Sequence, residues 1–157
     1  MVGFEEKNMK IAVLTKAIPS YESSIRVDSS GKWIDEAMVN FVVNESDSYA
    51  LEEALQIKEN VGGDSEVVVV TLGSEASTSK VIKDGLAKGA DRGIFIKNES
   101  TTTDPLTIAR LFADNLKSEN FDLIFSGLQS DDMGSGQTGV LVGEMLEMST
   151  ATLAIET

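Results

Sequence analysis

Five short apolar runs recur along this chain: Lys10 to Thr15 (KIAVLT), Glu66 to Leu72 (EVVVVTL), Gly93 to Ile96 (GIFI), Asp122 to Ser126 (DLIFS) and Ala151 to Ile155 (ATLAI). Apolar runs without alternation are the mark of strands buried on both faces, as in parallel sheets. Helical patterns separate most of them. Ser46 or Asp47 is placed to cap a helix running to about Asn60, with Ala50, Leu51, Ala54, Leu55 and Lys58 at helical spacing and a break at Gly62-Gly63. Ser74 to Lys88 reads the same way, with Val81, Ile82 and Leu86 on one face and Gly89 just past the end. Asp104-Pro105 is a helix start, because proline at the first helical position sacrifices no internal hydrogen bond; Leu106, Ala109, Leu111, Phe112 and Leu116 then face the core.

Strands alternating with helices of this length predict right-handed βαβ crossovers and a doubly wound, mostly parallel α/β sheet. In such sheets ligands bind beyond the carboxyl ends of the strands, where the strand order reverses. The loops at that end begin at Lys16, Gly73 and Gly127. One insertion departs from simple alternation: Ser24 to Val27 and Lys32 to Ile34 flank Asp28-Ser29-Ser30-Gly31, which predicts a β-hairpin near the N-terminus. Ser100 to Thr103 reads as a polar loop.

Residues 121–146 (FDLIFSGLQSDDMGSGQTGVLVGEML) form a strand, a loop rich in glycine and acidic residues, and an amphipathic segment opening at Gln137-Thr138-Gly139. Gly127, Gly134, Gly136 and Gly139 leave the backbone open to a ligand, and the first-turn N–H groups of the following helix carry the positive end of its dipole. Such a place suits a phosphate. Neither G-x-x-x-x-G-K-[ST] nor a strand-to-helix G-x-G-x-x-G is present. On chemistry alone the loop is either an anion site or a stretch whose glycines merely permit tight turning.

Length and composition narrow the function. A chain of 157 residues, 41% hydrophobic and with two prolines, is enough for one domain with its own core. We expect residues 9–157 to form it, with residues 1–8 (MVGFEEKN) as a leader or flexible N-terminus. The net charge of −13 disfavours nucleic acid and anionic membrane surfaces. Cysteine and histidine are absent, which removes disulfides, thiolate nucleophiles, cysteine-ligated clusters, ordinary zinc sites and the usual general base. No catalytic residues and no metal site are expected. Any redox chemistry would need an organic cofactor. No secretory signal and no bilayer-length apolar run is apparent, so a cytoplasmic location without membrane insertion is the expectation.

The order KIAVLTKAIPSY, hairpin, VNESDSYALEEALQIKE, EVVVVTLGSEAS, GLAKGADRGIFI, DPLTIARLFADNL and FDLIFSGLQSDDMGSGQTG resembles the β subunit of electron transfer flavoproteins over nearly all of residues 9–157. The most telling pieces are Tyr49 to Leu55, Gly89 to Arg92 and Gln137-Thr138-Gly139. The resemblance implies a Rossmann-like fold of the adenine-nucleotide-binding type and a heterodimer. In it the α subunit holds the redox FAD and the β subunit buries AMP, and electrons pass from flavin-dependent dehydrogenases to a quinone-linked acceptor.

Carried over by motif, Gly127 to Thr138 would wrap the nucleotide, with Gln129, Asp132, Gly134 and Ser135 in the loop and Gly136, Gln137 and Thr138 presenting donors to its phosphate. Asp132 beside a phosphate would repel it, so a bond to ribose, to backbone N–H groups or to water is expected there. Asn44, Ser46, Asp47, Leu14 and Leu72 fall where the family lines the adenosine, and Tyr21 where a tyrosine approaches the flavin. Two departures stand out. The family's β subunit normally runs well beyond the equivalent of Thr157, through a loop that anchors on dehydrogenases, and Gly136 replaces the asparagine of the commonest loop form. Two alternatives accompany this reading: a bifurcating flavoprotein whose β subunit binds a second FAD, and a stand-alone adenine-nucleotide sensor of the universal-stress type.

Overall fold

The computed structural model describes residues 8–100 and 104–154. Most of the 1–8 segment, Thr101 to Thr103 of the polar loop, and Ile155 lie outside them. The core is a four-stranded parallel sheet of β1 (Lys10–Thr15), β4 (Glu66–Gly73), β5 (Arg92–Lys97) and β6 (Leu123–Ser126), in the order β5-β4-β1-β6. Lys10 pairs with Glu66 through to Thr15 with Thr71, and on the other side Ile11 pairs with Leu123.

Alternate residues of the two central strands feed two cores. Ile11, Val13, Val67 and Val69 pack beneath α1 (Glu45–Val61) with Ala50, Leu51 and Ala54. On the same face α2 (Glu75–Lys88) lies so close that a Cβ on Gly85 would come within 2.7 Å of a Val69 methyl. Ala12, Leu14, Val68 and Val70 pack against Ala109, Phe112 and Leu116 of α3 (Pro105–Leu116) and Val142 of α4 (Thr138–Met145). Helices on both faces make the sheet doubly wound. The chain leaves β1 for one face and β6 for the other, so the order reverses between these neighbours.

The helix punctuation works as the residue types require. Ser74 caps α2 by accepting from the Ser77 N–H, Asp104 caps α3 ahead of Pro105 by accepting from Thr107, and Gly89 ends α2 in the left-handed region at φ 118°. α1 begins at Glu45, one residue before the expected caps, because Asn44 holds the N-cap position. Leu106 does not face the core as expected but is 42% exposed, and Leu86, read on one face with Val81 and Ile82, is exposed while Val81 is buried.

Two further expectations, about strands, need correction. The hairpin at Ser24–Val27 and Lys32–Ile34 reduces to a single bridge between Val27 and Ile34, although its turn forms, with the Gly31 N–H on the Asp28 carbonyl. The ladder in this insertion is instead a short antiparallel ribbon of β2 (Ala17–Pro19) and β3 (Phe41–Val43), followed into α1. Ala151 to Ala154 forms no strand. The Met148 N–H bonds the Gly143 carbonyl and Glu147 turns left-handed at φ 57°, so the chain turns at the end of α4 just before this segment.

Candidate functional site

The loops leaving the carboxyl ends of β1, β4, β5 and β6, together with the insertion, enclose a cleft of about 680 Å³ over the point of strand-order reversal. Its base is apolar, with Leu14 and Leu72 from the strand ends and Ile108 and Phe112 from α3.

The first turn of α1 organises the loop after β6. Asn44 makes no capping bond; its Nδ2 donates to Ser46 Oγ and to the Gln129 carbonyl, both at 2.9 Å, while its Oδ1 accepts from the Asp131 N–H at 2.9 Å. The Ser46 hydroxyl donates to the same Gln129 carbonyl. Asp47 accepts from the Lys16 N–H at 2.8 Å and from the Gly127 N–H at 3.1 Å, joining the loops after β1 and β6. Asn44 and Asp47 are buried, at 1% and 7% exposure. Burial pushes the Asp47 carboxyl up to about 6, against the opposing pull of bonds from the Lys16 backbone, Asn44 and the Gly127 backbone.

Close approach explains the glycines. A Cβ on Gly127 would lie 2.3 Å from Asp47 Oδ1 and 2.4 Å from Ser46 Oγ; one on Gly136 would lie 2.8 Å from the Leu128 carbonyl; one on Gly139 would meet Ser126 Oγ. Within the loop, Gly134 (φ 65°) donates to the Ser130 carbonyl and the Ser130 N–H to the Ser135 carbonyl, closing a tight turn.

Three helix N-termini reach the cleft; that of α1 is the framework just described, and the other two differ from each other. At α2 the Ser74 hydroxyl accepts from the Ser77 N–H and donates to the Glu36 carboxylate at 2.6 Å, so that terminus already has a hydroxyl and an anion beside it. At α4 the N-cap residue Gln137 makes no side-chain capping bond. The positive end of α4, rather than α2, is therefore open to an incoming anion.

Of the residues singled out from sequence, Leu14, Asn44, Asp47, Leu72, Gly127, Gln129, Asp132, Ser135, Gly136 and Thr138 line this one cleft. Ser46, Gly134 and Gln137 belong to its framework without lining it. Tyr21 is 84% exposed and lies off the cleft wall. Asp132 neither bonds backbone nor stands free; its carboxylate pairs with Lys16 Nζ at 2.6 Å. Sequence reasoning missed Trp33 and Glu36, which reach the wall from the insertion and belong to no motif. Among the described residues no group of three or more Asp or Glu is placed to hold a metal ion.

A doubly wound sheet with a glycine loop and a cleft at its switch point defines an α/β domain of the Rossmann-like class. The electron transfer flavoprotein domain profile matches residues 32–157, and the chain belongs to that family. It is 40% identical to the electron transfer flavoprotein subunit beta of Bradyrhizobium diazoefficiens, over 93% of this chain and 57% of that one. The mitochondrial subunit beta of Arabidopsis thaliana is 38% identical over 93% of this chain and 57% of its own length, and that of Methylophilus methylotrophus 32% over 94% and 56%. The chain thus spans somewhat over half the length of these relatives. Protein Rv1636 of Mycobacterium tuberculosis superposes only distantly, with a TM-score of 0.46 and 14% identity, covering 96% of this chain and 98% of that one.

Proposed function

We propose that residues 9–157 form the nucleotide-binding domain of an electron transfer flavoprotein β subunit, with AMP in the cleft as a structural ligand. The observation that carries this reading is the uncapped N-terminus of α4 beside a glycine loop that the first turn of α1 holds open. Backbone N–H groups and the Thr138 hydroxyl supply donors for a phosphate, and the apolar base suits an adenosine. The protein has no catalytic step of its own in this reading. It partners an α subunit that holds FAD, receives electrons from flavin-dependent dehydrogenases, and works in the cytoplasm; among the described residues no helix is long and apolar enough to cross a membrane. AMP contributes by favouring the ordered loop over the unbound chain, stabilising it in proportion to the logarithm of its concentration over Kd.

The test is to denature the purified chain, alone and after co-expression with a candidate α subunit, and to identify what is released by mass and visible absorption. AMP from the chain and FAD only from the pair supports the reading. FAD from the chain alone moves it to the bifurcating class, and no nucleotide from either sample overturns it.

A further inference from the structure

We infer that Trp33 is the aromatic wall against which the adenine ring packs, and that Glu36 is the positioning residue that sets its ring; this rests on the nucleotide reading above. The insertion between β1 and α1 is not needed to complete the sheet, yet it brings Trp33, Ile34, Asp35 and Glu36 to the cleft wall. The Trp33 Nε1–H donates to Glu36 Oε1 at 3.0 Å, and Glu36 Oε2 accepts from the Ser74 hydroxyl at 2.6 Å. The indole of a surface excursion is thereby tied, through one carboxylate, to the cap of α2.

Charge fixes which part of the ligand belongs there. The open helix terminus and the glycine loop form one part of the cleft, where the Asp132 carboxylate is paired with Lys16 and Asp47 is buried on the Lys16 and Gly127 N–H groups. The strap contributes Asp28, Asp35 and Glu36 to the wall, where a phosphate would meet like charge. An uncharged heteroaromatic ring meets no such repulsion. A half-buried indole supplies a stacking face, and base–aromatic stacking is a substantial and sequence-tolerant source of affinity.

Trp33 is the single tryptophan of the chain, so its emission reports the contact directly. Nucleotide-depleted protein is titrated with AMP, adenosine and ribose 5-phosphate, with binding measured in parallel by equilibrium dialysis. Quenching by AMP and adenosine but not by ribose 5-phosphate is expected, as is a loss of AMP affinity of roughly tenfold or more in Trp33→Ala that Trp33→Phe largely restores. Glu36→Gln, which keeps an acceptor for the indole N–H, should retain affinity, and Glu36→Ala should lose part of it. Circular dichroism confirms that each variant is folded. AMP that binds without quenching, or with unchanged affinity in folded Trp33→Ala, overturns the inference and leaves the nucleotide reading intact. Equal quenching by ribose 5-phosphate overturns it as well. No AMP binding by the wild-type chain overturns both.

Discussion

Lys16 Nζ lies 2.6 Å from the Asp132 carboxylate, so the cation at the mouth of the cleft is held by the very loop proposed to wrap the nucleotide. Both partners are partly exposed, and such pairs contribute on the order of 1 kcal/mol or less to stability. Asp132→Asn should therefore leave the melting temperature almost unchanged. It should also free Lys16 for the ligand phosphate and tighten AMP binding severalfold at low ionic strength, an effect that salt removes. Calorimetric titration at two salt concentrations checks both halves.

The contact of Gly127 with the first turn of α1 admits no side chain. Gly127→Ala is expected to destabilise the fold by about 1–3 kcal/mol, the usual range for forcing atoms into a packed site, and to abolish nucleotide retention. Gly134→Ala is the contrast. Its Cβ would meet open space, and only the left-handed φ of 65° opposes it, at about 1–2 kcal/mol. Urea denaturation and released-nucleotide analysis of the two variants should separate a steric effect at the anchor from a conformational one at the loop tip.

Replacing Gln137 and Thr138 together by Ala should lower AMP retention without loss of helical signal. Gln137 makes no capping bond for α4 to lose, and Thr138 lines the cleft. Retention equal to wild type would move the phosphate seat elsewhere.

The acid response should have two opposed parts. Asp47 holds its proton more tightly folded than unfolded, with the folded value raised to about 6. The native state therefore binds more protons between about pH 4 and pH 6, and stability from this group rises as pH falls through that window, by on the order of 2–3 kcal/mol. Glu119 behaves in reverse. Hydrogen bonds from Arg92 and Lys10 pull it down to about 2, so its contribution is present above about pH 4.5 and is lost as pH falls toward 2. Thermal melts across pH 2 to 7 should show the first part missing in Asp47→Asn and the second in Glu119→Gln.

The parallel strands and the four helices were legible because each rests on local chemistry. Ser74, Asp104-Pro105 and Gly89 satisfy helix-end backbone groups by themselves, and Val67 to Val70 can bury both faces only between neighbours. What failed depended on partners that sequence does not name. Ala151 to Ala154 has strand composition, but the left-handed turn at Glu147 carries it off the sheet, and Leu153 ends 74% exposed. The predicted hairpin had a sound turn but nothing to bury, since Ile25 and Val27 stand exposed, so one bridge is all that forms. For the site, the glycine loop gave its own place away, and the family resemblance selected Asn44 and Asp47. It could not reveal that these two side chains hold the loop itself. Trp33 and Glu36 carried no signal because their relation to Ser74 spans an insertion without periodicity.

The bond from Gly127 to Asp47 joins residues 80 positions apart. No fragment containing only the glycine loop can therefore adopt the ligand-ready shape, since the first turn that shapes it arrives with a different strand. Closing so long a segment carries an entropic penalty before any local reward is gained. Occupancy of the cleft by the proposed nucleotide would consequently report on assembly of the whole sheet: its release should precede the loss of helical signal whenever α1 begins to part from β6.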